Sequence, residues 1–565
     1  MPKRLAITIA GAVSLGSYEA GVLYELLRAI RTYNETTTTP VDKRIYIDVL
    51  TGASAGGMTT AIVAQRLMFD AQSLDGDFTN SLYEAWVENI SLMQLVKMGL
   101  REKKWHSLFS SNLIDRIGRR MLVDSMKQRG SGPHAAVEQI NGVPQKLRVG
   151  LALTNLNGVD YMIPIVGMDR DGFNYTTSVD QKLFEVTGDR ARDAAHWPEM
   201  CKAAVGSGAF PAAFRPKGIE CNAKDYGQRL PADPALRTEG KTYVNWIGPS
   251  PTECACSDGG VLQNQPLGLA KNLVDAAVQD RVAQGRQAVF TEENDRLYVF
   301  VAPHSVKSSA ENLRASQITI AGILKQLVHV YLRQATFHDW ITAEGVNQQV
   351  RFLDTRAAQL AELISRGLVD VVSLLKAADD LNAALIPYDE QERLKRLREQ
   401  YSDEYQRVAN SAGSQGAEAF VKSLATLEAA AQLDNRDKMR IAAVTANAQK
   451  ELAGAGLSSF VGFFKKRFRQ HDYWVGRTKT REYLQRTDVK AILGVGTWPE
   501  EHLWQTPLPN PSGVKMPVSD FQIGIAAIIP TIIAVVIRPA LLFVLLLLLA
   551  LIGGAGFGLS YLLHH

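Results

Sequence analysis

The sequence has little cysteine and almost no excess of charge. Its four cysteines in 565 residues form no CxxC pair, and no histidines follow them at zinc-finger spacing. This pattern argues against a disulfide scaffold and a structural zinc site, and it predicts reduced thiols in a cytoplasmic environment. The 62 Lys and Arg residues against 58 Asp and Glu leave a net charge of +4, too small for the basic face of a dedicated nucleic-acid-binding protein.

Residues 1–305 contain short apolar runs that alternate with helical patterns. This alternation predicts an α/β fold in which helices cover a central sheet. The start of the chain has signal-peptide features, but the periodic helix over Tyr18–Ile30 follows at once and favours a buried first strand. The predicted strands are Leu5–Ala10, Ile45–Leu50, Leu147–Leu153, Tyr161–Val166, Thr242–Trp246 and Leu297–Ala302.

Three segments of different composition follow. Residues 306–459 are rich in Ala, Leu, Glu, Lys and Arg and predict a helical region, which could act as a lid, a homo-oligomer contact or a packing domain. In residues 460–490, which we expect to pack on the core, aromatic and basic residues are interleaved. This segment is either a surface for anionic lipid headgroups or a solvated helix face. Residues 491–520 are rich in proline and predict an extended linker. The basic residues of segment 460–490 on which this interpretation depends are Lys465, Lys466, Arg467 and Arg469.

The C-terminal part contains two long uncharged runs. Ala540–Leu563 has 24 residues without a charge, and at 1.5 Å per residue it could cross a hydrocarbon core of about 30 Å. A second run, Phe521–Ile537, precedes it. We therefore predict that residues 521–565 form a membrane anchor, as one transmembrane helix or a hairpin, with the catalytic part facing the cytoplasm.

A serine lies on a glycine-rich corner between a predicted strand and a predicted helix. The stretch Gly52–Gly56 reads GASAG and matches G-x-S-x-G, the nucleophile elbow. Gly52 and Gly56 allow a tight turn, and the helix N-terminus beside the serine favours a developing anion. This context predicts that Ser54 is a nucleophile.

A nucleophilic serine also needs a base and donors for the oxyanion. A small-residue loop follows the first predicted strand, where backbone N–H groups could point outward together. Much later in the chain, Asp258 precedes Gly259 and Gly260, so its backbone could approach the serine closely and its carboxylate could act as the base. The candidate oxyanion donors are the N–H groups of Gly11, Ala12 and Val13.

Together these three elements resemble the patatin-like phospholipase family, which uses a Ser–Asp dyad and an oxyanion loop written G-G-G-x-R/K-G. The loop here reads GAVSLG, so Gly11 and Gly16 remain while two glycines and the basic residue are replaced. Two further stretches are similar to family segments: Ala203–Pro216 to the S-x-A-x-P segment, and Ala152–Gly158 to a strand before a polar turn. The resemblance covers about residues 5–270 and implies a three-layer core with a mainly parallel sheet.

The resemblance implies a serine lipid acyl hydrolase of the phospholipase A or lysophospholipase type, and the predicted anchor would make it membrane-anchored. Asp258 would take the proton of Ser54, an acyl-enzyme would form, and water would release a fatty acid. Membrane lipids would be the substrate, and neither a metal nor another cofactor is implied. A dry, apolar site would make the carboxylate a stronger base.

Two other interpretations remain open. In the first, His304 follows a predicted strand and completes a Ser–Asp–His triad of an esterase or thioesterase. In the second, the chain is a catalytically weak, membrane-tethered scaffold that has kept a hydrolase fold, as the altered loop suggests.

Overall fold

The computed structural model describes the chain from residue 2 to residue 516, with internal gaps. The gaps are residues 37–38, 102–106, 108, 128–129, 165–171, 212, 228–248, 286–295, 305–337, 386–389, 432, 434–438, 456–458 and 460. The predicted strand Thr242–Trp246 and the predicted anchor 521–565 therefore lie outside the described residues. Among the residues that are described, no helix is both long enough and apolar enough to cross a membrane.

In the described residues, the centre of the molecule is an eight-stranded, mostly parallel sheet. The strands are β1 (Lys3–Ile9), β2 (Ile45–Gly52), β3 (Leu147–Pro164), β4 (Gly172–Val186), β5 (Lys217–Cys221), β6 (Thr252–Asp258), β7 (Arg296–His304) and β8 (Ile441–Asn447). Their order is β8-β7-β1-β2-β3-β6-β5, and β4 pairs with β3 at the side of this path. The pairs from β8 to β3 are parallel, whereas β3 pairs antiparallel with both β4 and β6, and β6 with β5.

Helices cover both faces of the sheet, which gives the three layers of the fold. The longer helices of the core are α1 (Gly16–Glu35), α2 (Ala55–Phe69), α3 (Leu92–Arg101), α4 (Ser111–Arg119), α5 (His196–Ser207) and α6 (Leu267–Ala283). Alternate residues of β1 point to opposite faces, so Ile7 packs under α1 and α2 while Ala6 packs under α6.

A second group of helices has its own apolar core, which includes Val350, Ile364, Leu397 and Phe420. These helices are α7 (His338–Ser365), α8 (Val371–Leu385), α9 (Glu390–Gln400) and α10 (Ser402–Ala430). The chain then returns to the sheet through β8, so the segment predicted to be wholly helical, 306–459, also supplies an edge strand. The strand forms because alternate residues of IAAVTAN are buried against the core.

Two helices near the end of the described residues lie against the core: α11 (Lys466–Gln485) and α12 (Thr487–Leu493). Helix α11 packs along α1, and Arg477 of α11 forms a buried ion pair with Glu25 of α1 at 2.9 Å. The predicted linker 491–520 is also partly packed, since the side chains of Trp498 and Trp504 are buried. Burial of these aromatic side chains holds the segment against the core, although its prolines favour an extended linker.

Other differences from the predicted strands arise in the antiparallel half of the sheet. The predicted strand Leu147–Leu153 and the described part of the predicted strand Tyr161–Val166, residues 161–164, belong to one long strand, β3, whose pairing with β4 shifts register between Thr154 and Val159. The polar turn expected near Gly158 is this irregularity within the strand. Strands β4, β5 and β6 were not predicted, because polar side chains interrupt their apolar alternation.

Candidate active site

Ser54 occupies the sharp corner between β2 and α2. Its backbone has φ 53° and ψ −125°, a conformation that residues other than glycine rarely adopt. A Cβ atom on Gly56 would lie 2.7 Å from the Ala10 carbonyl oxygen, so the helix can approach β1 this closely only with glycine at that position. The corner is therefore strained, as expected for the predicted nucleophile elbow.

The structure brings Ser54 and Asp258 together across 204 positions of sequence. The Ser54 Oγ donates a hydrogen bond to Asp258 Oδ2 at 2.8 Å. The other carboxylate oxygen, Oδ1, accepts the N–H of Gly260 at 2.7 Å. Asp258 is the last residue of β6, and β6 reaches the serine because it pairs with β3 in the middle of the sheet.

Burial sets the basicity of Asp258. Its side chain is almost fully buried, and removal from water raises its pKa from the ordinary value of 3.8 to about 7. The hydrogen bonds from Ser54 and Gly260 act in the opposite direction but are the smaller effect. The carboxylate is therefore a much stronger base than an exposed aspartate, as a dry site predicts.

The last residue of α5 and the chain just after it fix both groups. Ser207 Oγ accepts the N–H of Ser54 at 3.0 Å and donates to the Ala152 carbonyl at 2.7 Å. Two residues later, the Ala209 carbonyl accepts the N–H of Asp258 at 3.1 Å. No role was predicted for Ser207 or Ala209, although the similarity of Ala203–Pro216 to the S-x-A-x-P segment pointed to this part of the chain.

The loop predicted to form the oxyanion hole lies beside Ser54, but its donors differ from the prediction. The Gly11 N–H donates to the Asn264 carbonyl at 3.1 Å and is not free for a substrate. For the N–H groups of Ala12 and Val13, the described part of the chain offers no acceptor. Val13 has φ 52°, a conformation that glycine adopts without strain but a β-branched residue rarely adopts.

Asn264, which the sequence analysis did not single out, is a further polar group at the site. A Cβ atom on Gly260 would lie 2.7 Å from Asn264 Oδ1, 3.0 Å from Asp258 Oδ1 and 3.4 Å from Ser54 Cβ. The side-chain amide therefore lies within a few ångströms of both groups. Its carbonyl contact with Gly11 also ties the loop to the segment that carries Asp258.

An apolar cavity opens next to Ser54. Mostly apolar side chains line it, and the indole N–H of one of them, Trp86, is bonded to Thr59 Oγ1 at 2.9 Å, away from the cavity. A hydrocarbon chain would bury its surface there without leaving a polar group unpaired. The lining includes Val13, Met58, Trp86, Ile114, Phe214 and Phe463.

No histidine lies between the serine and the carboxylate. Their direct contact of 2.8 Å leaves no room for an imidazole, which a triad would place between them. His304 is the last residue of β7, where its backbone pairs with Asn447 of β8. Among the described residues that line the cavity, none is a histidine.

One residue of the predicted basic surface, Arg469, is buried inside the protein. The Arg469 side chain is buried and donates hydrogen bonds to the carbonyls of Val87 and Gly462. It therefore cannot contact a lipid headgroup, whereas Lys466 is exposed and pairs with Glu88. The headgroup interpretation does not hold for Arg469.

One family model matches the N-terminal part of the chain. Residues 7–271 match the family model described as patatin-like phospholipase. The comparison with curated proteins gives no match. Among solved structures, VipD from Legionella pneumophila is 11% identical with a TM-score of 0.26, over 83% of this chain and 91% of that chain.

Proposed function

We propose, from the premise that residues 7–271 form a patatin-like phospholipase domain, that the protein is a membrane-anchored serine lipid acyl hydrolase. The observation that carries this proposal is the 2.8 Å hydrogen bond from Ser54 Oγ to the buried carboxylate of Asp258. The domain belongs to a family of lipid hydrolases, and this contact supports Ser54 as the nucleophile and Asp258 as the base.

The reaction proceeds in two steps. Asp258 removes the proton as Ser54 Oγ attacks the ester carbonyl, and the N–H groups of Ala12 and Val13 stabilise the negative charge on the carbonyl oxygen. The protonated Asp258 then gives its proton to the departing alcohol, which leaves an acyl-enzyme. Water attacks the acyl-enzyme, with Asp258 again as base, and releases the fatty acid.

The cavity beside Ser54 favours a substrate with a long acyl chain. Each methylene group transferred from water to apolar surroundings contributes about 0.8 kcal/mol. Side chains such as Met58, Trp86 and Phe214 offer such surroundings directly beside the serine. Phospholipids and lysophospholipids carry chains of this kind. As a membrane anchor, residues 521–565 would hold the enzyme where the local concentration of these lipids is high.

The first experiment is labelling of the full chain with a fluorophosphonate probe. Wild type should be labelled and Ser54→Ala should not, whereas Ser411→Ala, which changes an exposed helical serine, should be labelled like wild type. Lipid mass spectrometry on mixed vesicles should show released fatty acid from the two labelled proteins alone. Absence of labelling in wild type would favour the scaffold, the second interpretation, which the replaced loop glycines support.

The membrane anchor is tested separately. If residues 521–565 insert in the bilayer, the full chain should stay in the membrane pellet after extraction with alkaline carbonate. A protease added to intact cells should leave the catalytic domain uncut, because we expect it to face the cytoplasm. Release of the protein by carbonate would contradict insertion without affecting the proposed chemistry.

A further inference from the structure

A short segment far outside residues 7–271 contacts the predicted oxyanion loop. We call Ser459 and Val461–Phe463 the support segment; it lies between β8 and α11. Ser14, the residue after Val13, donates a hydrogen bond from its Oγ to the Ser459 carbonyl. A Cβ atom on Gly462 would lie 2.6 Å from Ser14 Oγ and 3.1 Å from Ser14 Cβ. The support segment therefore packs on the loop with no room for another atom.

The loop needs such a contact because its conformation is unfavourable. Val13 has φ 52°, a strained conformation for a β-branched residue, and the surrounding structure must hold it there. A turn that precedes the support segment adds a second contact. A Cβ atom on Gly454 would lie 2.9 Å from Leu15 Cδ2, and Asp472 fixes this turn by accepting the N–H groups of Ala453 and Gly454 at 2.7 and 2.9 Å.

Arg469 links the support segment to the backbone beside Trp86. Its guanidinium donates to the Val87 carbonyl from Nη2 at 2.9 Å and to the Gly462 carbonyl from Nη1 at 2.9 Å. Val87 follows Trp86, and Gly462 precedes Phe463. Both aromatic side chains line the cavity beside Ser54. One buried guanidinium thus bridges the backbone next to two cavity-lining side chains.

We propose that the support segment and Arg469 are positioning elements of the catalytic site: they hold the oxyanion loop and the walls formed by Trp86 and Phe463 in their reactive arrangement. This inference rests on the proposed hydrolase function. It extends the catalytic unit of the chain to residues near 470, and it gives the predicted basic-aromatic segment a role inside the protein instead of at a lipid surface.

The test compares Gly462→Ala with Gly496→Ala in the full chain in detergent micelles. Both variants add one methyl group to a glycine, but a Cβ atom at Gly496 meets no atom within 4 Å. The substrates are p-nitrophenyl butyrate and p-nitrophenyl decanoate. Because a displacement of about 1 Å at a catalytic group can cost about 100-fold, we expect Gly462→Ala to lower kcat at least about tenfold on both esters. Gly496→Ala should match wild type.

A second variant, Arg469→Lys, tests the cavity walls. Lysine keeps the charge but lacks the planar fork that bridges two carbonyls. The ratio of kcat/KM for decanoate to that for butyrate should fall at least threefold. The fall should come from a higher KM for decanoate, while kcat for butyrate changes less. A general loss of folded protein would lower the apparent kcat/KM for both esters equally and would leave this ratio unchanged.

Two results overturn the inference: kcat of Gly462→Ala within twofold of Gly496→Ala, or an unchanged chain-length ratio in Arg469→Lys. If Gly462→Ala gives no cooperative thermal transition, Ser14→Ala decides, since it removes the hydrogen bond to Ser459 without adding an atom; unchanged kcat there overturns the inference as well. If wild type hydrolyses neither ester, the proposed function fails. If wild type and Gly496→Ala are active and Gly462→Ala matches them, only the positioning inference fails.

Discussion

The buried carboxylate of Asp258 should destabilise the folded protein, and Asp258→Asn should remove that penalty together with the activity. An asparagine can keep both contacts, because its amide oxygen can accept the Gly260 N–H while its NH₂ group donates to Ser54 Oγ. The substitution therefore changes the charge and little of the packing. A more stable but inactive variant is expected.

The size of the effect follows from the pKa of Asp258, which burial raises from 3.8 to about 7. Below pH 3.8 the carboxyl is protonated in both the folded and the unfolded chain, so it contributes nothing. Between the two pKa values only the unfolded chain releases the proton, and the free energy of unfolding falls by about 1.4 kcal/mol per pH unit. Above pH 7 the penalty is constant at about 4 kcal/mol.

Thermal unfolding of the full chain in detergent, followed by tryptophan fluorescence between pH 5 and pH 8, tests this. The stability gained by Asp258→Asn over wild type should increase with pH and level off above about pH 7. Asp380→Asn is the matched control, because it removes an exposed carboxylate on α8 and should give no such trend. A stability difference that does not vary with pH would refute the reasoning.

Three further predictions concern activity. Since Asp258 must be ionised to act as the base, kcat/KM for a soluble ester should rise with pH through about 7, tenfold per unit on the acid side, in a pH–rate profile. Ser207→Ala removes the acceptor of the Ser54 N–H, and a steady-state assay should show kcat reduced about tenfold or more with the protein still folded. His304→Ala should keep activity within about threefold in the same assay, whereas loss of about 10³-fold would restore the triad interpretation.

The sequence predicted those parts of the site that depend on local pattern. The elbow at Ser54 could be recognised because an apolar run, two glycines and a helical period stand next to each other. Asp258 required the resemblance, since an aspartate before two glycines is more often a simple turn. The parallel strands β1, β2 and β7 were predicted within a few residues because strands buried on both faces read as apolar runs.

The parts that were missed depend on contacts between distant residues. Strand β8 joins the sheet from beyond a group of helices, and its small residues resemble a helical pattern until the pairing with β7 is known. The donor role of Gly11 was predicted from the loop alone, but the Asn264 carbonyl that occupies its N–H comes from more than 250 residues later. Likewise, no residue near Ser14 in the sequence indicates that the Ser459 carbonyl accepts a hydrogen bond from the Ser14 hydroxyl.

The energetics of the site explain why this distant segment is needed. Ser54 and Val13 both have positive φ, at about 1–3 kcal/mol each, and the buried Asp258 adds about 4 kcal/mol at alkaline pH. These costs together are comparable with the net stability of a typical domain, about 5–15 kcal/mol. They can persist only where packing elsewhere offsets them. Strand β8 and helix α11 bring that packing, with Phe468 and Tyr473 fully buried, so the contacts that stabilise the fold also fix the loop beside Ser54.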